Sequence, residues 1–207
     1  MIPVADILRR CGELLLDEDH VRWEIGELVD WINDAAAAIV VRRPMAGAHV
    51  EDVTLAAGAV QRIPDAVEVM DVVRNAGGPA IQRTDRYQLE TSAPGWYDMP
   101  PVTRLIHYTF DDRKRTTFYV YPPAAEGVQV EALVARVPPK VAQGDELALG
   151  REYINAVVNF VCHRAFLKDS EFANGQAGMV FFQAFENELG VQNQSSMAVS
   201  PNAGGDA

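Results

Sequence analysis

Apolar residues recur along the first forty positions at helical, not strand, spacing. Val4, Ile7, Leu8, Cys11, Leu14 and Leu15 fall on one stripe of an amphipathic helix. Pro3 suits its first position, where no amide hydrogen is needed. The charged run Asp17-Glu18-Asp19-His20 interrupts the pattern. A second helix is predicted from Trp23 to Val41, with Ile25, Leu28, Ile32, Ala35 and Ile39 on one face and Val29, Trp31, Ala36 and Val40 widening it. Arg42-Arg43 suit a helix C-terminus through the dipole, and Pro44 ends the run. A short turn between two such helices predicts an antiparallel hairpin.

From Ala46 the period changes. Glu51 to Leu55, Ala59 to Ile63 and Val67 to Val73 are short and rich in β-branched residues, punctuated by Gly58 and Gly77-Gly78. Arg104 to Phe110 and Thr116 to Tyr121 alternate around the polar Asp111 to Arg115, which predicts a hairpin with a charged tip. Val128 to Val137 continues the alternation up to Pro138-Pro139. Asp85 to Thr91 reads as a short helix and Ala93 to Pro101 as an irregular loop. About six strands suffice for a small sandwich or open barrel. Helical spacing returns after Gly150: Ile154, Val157, Val158, Val161 and Ala165 form one stripe, and Met179, Phe182, Phe185 and Leu189 another.

The predicted fold is therefore α+β: a four-helix bundle made by the N- and C-terminal helix pairs, split by an antiparallel β module. Residues 1–46 with 144–190 would form the discontinuous helical domain, and 47–143 the inserted β domain. The residues 191–207, rich in Gln, Asn, Ser, Pro and Gly, read as a flexible tail. Internal repeats are not apparent.

Charge narrows the function. Lys and Arg number 18 against 29 Asp and Glu, a formal net charge of −11. That balance argues against wrapping or reading nucleic acid, which needs a basic surface; it leaves room for a channel wall that repels phosphate, but on charge alone simple solubility is the favoured explanation. Apolar runs such as Ala35 to Val41 fall short of the roughly 20 residues of a membrane span. Met1-Ile2-Pro3 leads into a helix with no charged and apolar leader pattern, so no secretory signal is expected. Cys11 and Cys162, the two cysteines, lie far apart in sequence on helical stripes and read as reduced core thiols, not a disulfide framework.

No catalytic, cofactor or metal site emerges. Cys162 and His163 are helix neighbours about 100° apart and cannot share a proton well. His107 has no partner at a suitable spacing. Asp17 to His20 lacks the glycine and distal glutamate of a calcium loop, and Asp19 or a neighbour is expected to cap the second helix. Asp111-Asp112 before Arg113-Lys114-Arg115 reads as a solvated ion-pair cluster. Gly175 and Gly178 follow no strand; they read as a late helix start or a close helix contact. Trp96-Tyr97, flanked by prolines, is either an aromatic anchor for a partner or a lid over the sheet. Trp31, Phe160, Leu167 and Phe181 add apolar area outside a single stripe, which points to burial against another chain.

These residues, in this order, resemble a known family. Arg22-Trp23, Glu27-Leu28-Val29, Ile32-Asn33-Asp34-Ala35, Ile39-Val40 and Arg43-Pro44 resemble the N-terminal helical hairpin of head-to-tail adaptor proteins, the tail-tubular adaptors of short-tailed bacteriophages. His107-Tyr108-Thr109-Phe110-Asp111 with Thr117 to Pro122, and Val130 to Pro138, resemble the family's strands. Tyr153, Arg164-Ala165, Lys168-Asp169, Glu171, Phe185 and Leu189-Gly190 resemble its C-terminal helical pair. The resemblance implies a virion protein, assembled in the bacterial host cytoplasm, that forms a ring, usually twelvefold, at the head–tail junction. It implies the portal protein and the tail nozzle as partners, with genomic DNA passing through the lumen unread and no membrane involved. It also implies that the tail, with Val191, Met197 and Val199, reaches toward the portal. A ring closes through heterologous contacts, so each subunit needs two different apolar patches. The other reading is a different tail or virion component, such as a receptor- or carbohydrate-binding β module built on Trp96, Tyr97, Tyr119 and Tyr121.

Overall fold

A computed structural model describes residues 1–110, 114–168 and 173–199, with 191–199 described by backbone. In chain order its elements are β1 (Ile2–Pro3), α1 (Val4–Leu15), α2 (Ile25–Arg42), β2 (Ala48–Thr54), β3 (Gly58–Arg62), β4 (Glu68–Asn75), β5 (Gln82–Arg83), α3 (Arg86–Ser92), β6 (His107–Phe110), β7 (Thr117–Ala124), β8 (Gln129–Ala135), β9 (Glu146–Leu147), α4 (Ile154–Leu167) and α5 (Gly175–Val199). The chain is thus mixed α+β, with five helices and largely antiparallel sheets among the described residues. It divides into two compact units, Met1–Ala46 with Pro138–Ala207, and Gly47–Val137.

In the helical unit, α1 buries Val4, Ile7, Leu8, Cys11, Gly12 and Leu15. Leu14, which the periodicity places on the same stripe, is instead 49 % exposed. The helix ends on Leu16, a left-handed residue at φ 54°, with the Asp17 amide donating to the Gly12 carbonyl at 2.9 Å. Glycine usually fills that cap; a leucine there carries about 1–2 kcal/mol of backbone strain. Gly12 is required one turn back, because a Cβ would meet Glu18 Cα at 3.2 Å.

The turn is held by a buried carboxylate. Asp17 accepts the amides of Val21, Arg22 and Trp23 at 3.0, 3.0 and 3.1 Å. The expected acidic cap of α2 therefore sits elsewhere: Glu24 precedes the helix without a side-chain hydrogen bond, and Asp17 caps the turn leading into it. Trp23, nearly fully buried, packs edge-on to Phe166 at 6.3 Å.

α2 buries Leu28, Val29, Trp31, Ile32, Ala35, Ala36, Ile39 and Val40. α4 packs against α5, α2 and α1, and α1 also meets α2. Cys11 and Cys162 meet in this core as free, buried thiols; the hydrogen bond from Cys162, together with burial, pushes the Cys11 thiol well up. Two features lie below the reach of periodicity. Ile2 and Leu147 pair in the two-residue ladder β1–β9. Asn33 clamps the returning chain, accepting the Val141 amide at 2.8 Å and donating to the Val141 carbonyl at 3.1 Å. Residues 138–143 consequently run with the helical unit. α5 continues to Val199, beyond Leu189 where its apolar pattern ends; no proline intervenes before Pro201.

The inserted unit holds a three-stranded sheet, β2-β8-β4, and a four-stranded sheet, β3-β7-β6-β5, in which only β5 runs parallel to its neighbour. Both sheets contribute to one core: Val53, Val69, Val72, Val130, Ala132 and Val134 from the first, Tyr108, Phe118 and Val120 from the second. Buried polar side chains knit the loops. Asn75 donates to the Leu105 carbonyl at 2.9 Å and accepts its amide at 2.8 Å. Arg136 pairs with Glu51 at 2.7 Å, and that guanidinium holds the Glu51 carboxyl below its usual range. The expected short helix is α3, capped by Asp85, whose carboxylate accepts the Tyr87 amide at 2.8 Å. β6 and β7 form the expected hairpin; its tip, 111–113, lies outside the described residues.

Burial alone would raise the Asp17 carboxyl, but the three backbone amides outweigh it and the net shift is downward. A depressed folded value stabilises the protein above the unfolded carboxylate pKa of about 3.9, and the contribution is lost as pH falls through the lower folded value. Asp17→Ala is expected to cost about 1–3 kcal/mol at pH 7, and the cost should shrink as pH falls below the unfolded carboxylate range, measured by urea unfolding across an acid pH series.

Candidate interaction surfaces

The helical candidates separate by burial. Trp31 is only 8 % exposed, inside its own unit, so it belongs to the internal core and not to an outer face: helix α2 turns it inward beside Ile32 and Ala35. Phe160 and Phe181 are half-buried in an aromatic row along α4 and α5. Phe160 packs on Phe185 at 5.3 Å, Phe182 on His163 at 4.9 Å, and Phe166 stacks on Phe181 at 5.7 Å with planes 13° apart. Leu167 is exposed at 48 %; Met179, which the helical stripe groups with Phe185 and Leu189, is exposed at 60 %, and Val180, off that stripe, at 65 %.

The two glycines near α5 divide the roles expected of them. Gly175 begins the helix. Gly178 gives close approach, since a Cβ there would meet Leu167 Cδ2 at 3.1 Å, and its carbonyl accepts from His163 Nδ1 at 2.8 Å. His163 is therefore a tie between helices, with Phe160 and Phe182 beside it, and not a base for Cys162. Arg42 closes the other end of the pair, bonding Glu186 at 2.9 Å with its guanidinium 5.3 Å from the Phe185 ring. The side chains of Val191, Met197 and Val199 fall outside the described residues.

The aromatic loop resolves into a lid. Trp96, 1 % exposed, sits in a three-residue 3₁₀ turn, stacked on Tyr97 at 3.9 Å and edge-on to Tyr119 and Tyr121 at 6.4 Å each. With Ala59 and Leu89 it makes a second small core over β3 and β7. Arg86 covers Tyr119 from outside, 5.0 Å from its ring. Tyr97, Tyr119 and Tyr121 pack against this cluster in turn, so their rings face one another more than they face solvent. No group of three or more His, Cys, Asp or Glu suited to a metal occurs among the described residues, and none of their helices is long and apolar enough to cross a membrane.

Because Trp96 fills a core, Trp96→Ala is expected to cost about 3–5 kcal/mol of stability. Thermal unfolding of the full chain checks this; an unchanged midpoint would return the loop to the role of a surface anchor.

No curated protein matches the chain. A family model described as SU10 adaptor protein matches residues 2–205, nearly the whole length. The chain therefore belongs to the SU10 adaptor protein family of phage structural proteins, in keeping with its resemblance to head-to-tail adaptors.

Proposed function

We propose that the chain is a head-to-tail adaptor that assembles as a ring, twelvefold by its family resemblance, between the portal and the tail nozzle, with the genome passing through its lumen. In this reading α1, α2, α4 and α5 act together as a four-helix bundle that carries the assembly contacts, and the sheets form an inserted module. The last residues of the chain reach toward the portal. The protein does no chemistry; it works in the virion as a joint.

One observation supports the proposal beyond family membership: three large apolar side chains, Leu167, Met179 and Val180, stand exposed on the α4–α5 helix pair. A lone soluble subunit gains nothing from that exposure, whereas a ring subunit covers it with its neighbours. Charge supports the same reading. Residues 1–46 and 138–207 carry 9 Lys and Arg against 17 Asp and Glu, and residues 47–137 carry 9 against 12. Acidity thus concentrates in the helical part, and an acidic wall repels phosphate and keeps a duplex moving.

Particle masses test the proposal. Mass photometry of the chain alone, and mixed with the portal ring from the same phage genome, is expected to show a defined multiple of subunits on the portal. Met179→Asp with Val180→Asp should leave the subunit folded, since both sites are more than half exposed, and abolish that multiple. Absence of association at every salt concentration would sink the portal contact.

A further inference from the structure

A strand at the edge of a sheet offers unpaired backbone groups to any further strand, and folded proteins blunt such edges. Three of the four edge strands of the inserted unit are blunted. β5 is two residues long. β3 carries a register shift between Gly58 and Val60. β4 is engaged on its outer side, where the Val73 carbonyl accepts the Ile81 amide at 3.1 Å and the Val69 amide donates to the Arg115 carbonyl at 2.9 Å. β2 has none of these devices. Its seven residues, Ala48–Thr54, pair with β8 in unbroken register and include no proline or lysine.

The phase of that pairing fixes which groups face out. Just beyond its two ends, the Gly47 carbonyl accepts the Arg136 amide at 3.1 Å and the Leu55 amide donates to the Val128 carbonyl at 2.8 Å. Alternate residues of an antiparallel ladder bond the same neighbour, so the odd-numbered residues face β8. The amides and carbonyls of Ala48, Val50, Asp52 and Thr54 point to the open side. No strand of the described residues lies there, since β2 ends its sheet. Val50 is 56 % exposed, with His49, Asp52 and Thr54 exposed beside it. Leu133, directly across from Val50 on β8, is half-buried.

We propose that β2 pairs with β2 of a second copy of this chain, antiparallel and two-fold symmetric about Val50. The segment is self-complementary in that register. Val50 meets Val50, and a Leu133 flanks the pair on either side. His49 stands opposite Glu51 and Ala48 opposite Asp52, so no carboxylate directly faces another. Registers centred on Glu51 or Asp52 set two carboxylates face to face instead. About six backbone hydrogen bonds form across the axis. Association stops at two copies, because the far edge of the same sheet, β4, is already engaged by Ile81 and Arg115. One strand pair covers less than the roughly 800 Å² per partner of a stable complex, so the dimer is weak, on the order of tens of micromolar. The contact belongs to the inserted unit and stands independently of the adaptor reading.

Sedimentation velocity of the full chain, from about 1 μM to about 500 μM, reads the association to either side of that strength. A monomer–dimer equilibrium is expected. Val50→Lys sets two ammonium groups against each other at the axis and should weaken the dimer about tenfold or more. Its unfolding midpoint should hold, because the site is exposed. Val180→Lys, on the helical unit, should leave the dimer unchanged. Val50→Cys should give a covalent dimer under oxidised glutathione, since the Cα atoms of a hydrogen-bonded antiparallel pair lie about 5.5 Å apart, inside disulfide range. A chain that stays monomeric throughout overturns the dimer and leaves the adaptor reading intact. A dimer that survives Val50→Lys overturns the strand pair, and its loss in Val180→Lys reassigns the contact to the helices. Species that keep growing with concentration overturn the two-fold closure.

Discussion

The helical unit depends on how much of the α4 surface is buried. Ile154, Ala156, Val157, Val158, Val161, Cys162 and Ala165 are all buried, at spacings that wrap well over half of the helix. No single partner helix covers so wide a surface. α4 must therefore meet α1, α2 and α5 at once, and two of those three come from the other end of the chain. The small side chains Ala156, Cys162 and Ala165 permit close approach, which is why the two thiols touch although 150 positions separate them in sequence. An insertion of ninety residues can be tolerated between the helix pairs because the pairs need each other more than they need to be contiguous: loop-closure entropy grows only with the logarithm of length.

Much of this was legible from residue spacing. The stripe of α1 and the alternation of β6, β7 and β8 each carry a period strong enough to read without tertiary help. What escaped was information that tertiary contacts alone supply. The β1–β9 ladder is two residues long and has no period. Asn33 looks like any polar residue on a helix until the returning chain is seen to bond it twice. Asp17 is the clearest case. Four acidic or titratable residues in a row predict a helix cap, but which carboxylate turns inward depends on where Gly12 and Trp23 bring the chain.

The candidate surfaces divide along the same line. Apolar residues off the main stripe were read as interface, and burial sorts them: Trp31 belongs inside and Leu167 outside, while Trp96, left open between anchor and lid, lies inside. Sequence could not make that distinction because an aromatic ring that completes a core and one that completes a partner have the same polarity. Met179 was masked for the converse reason, since it keeps helical register with the buried Phe185 and Leu189. Gly178 draws α5 close to Leu167, a contact that a glycine's place in the sequence does not announce.

That geometry bears on why a structural protein would keep exposed apolar groups at all. A subunit that satisfied every apolar side chain internally would be soluble and inert; one that exposed a broad patch would aggregate in the host. Here exposed apolar groups such as Leu167, Met179 and Val180 are few and sit on a close-packed helix pair, small enough that one contact is weak. Weak contacts become decisive when many identical subunits meet a partner that is itself a ring, because each occupied site raises the effective concentration at the next. The rigidity matters as much as the apolar area. A flexible subunit would lose in ordering what it gained in burial, whereas this support is ordered before any partner arrives.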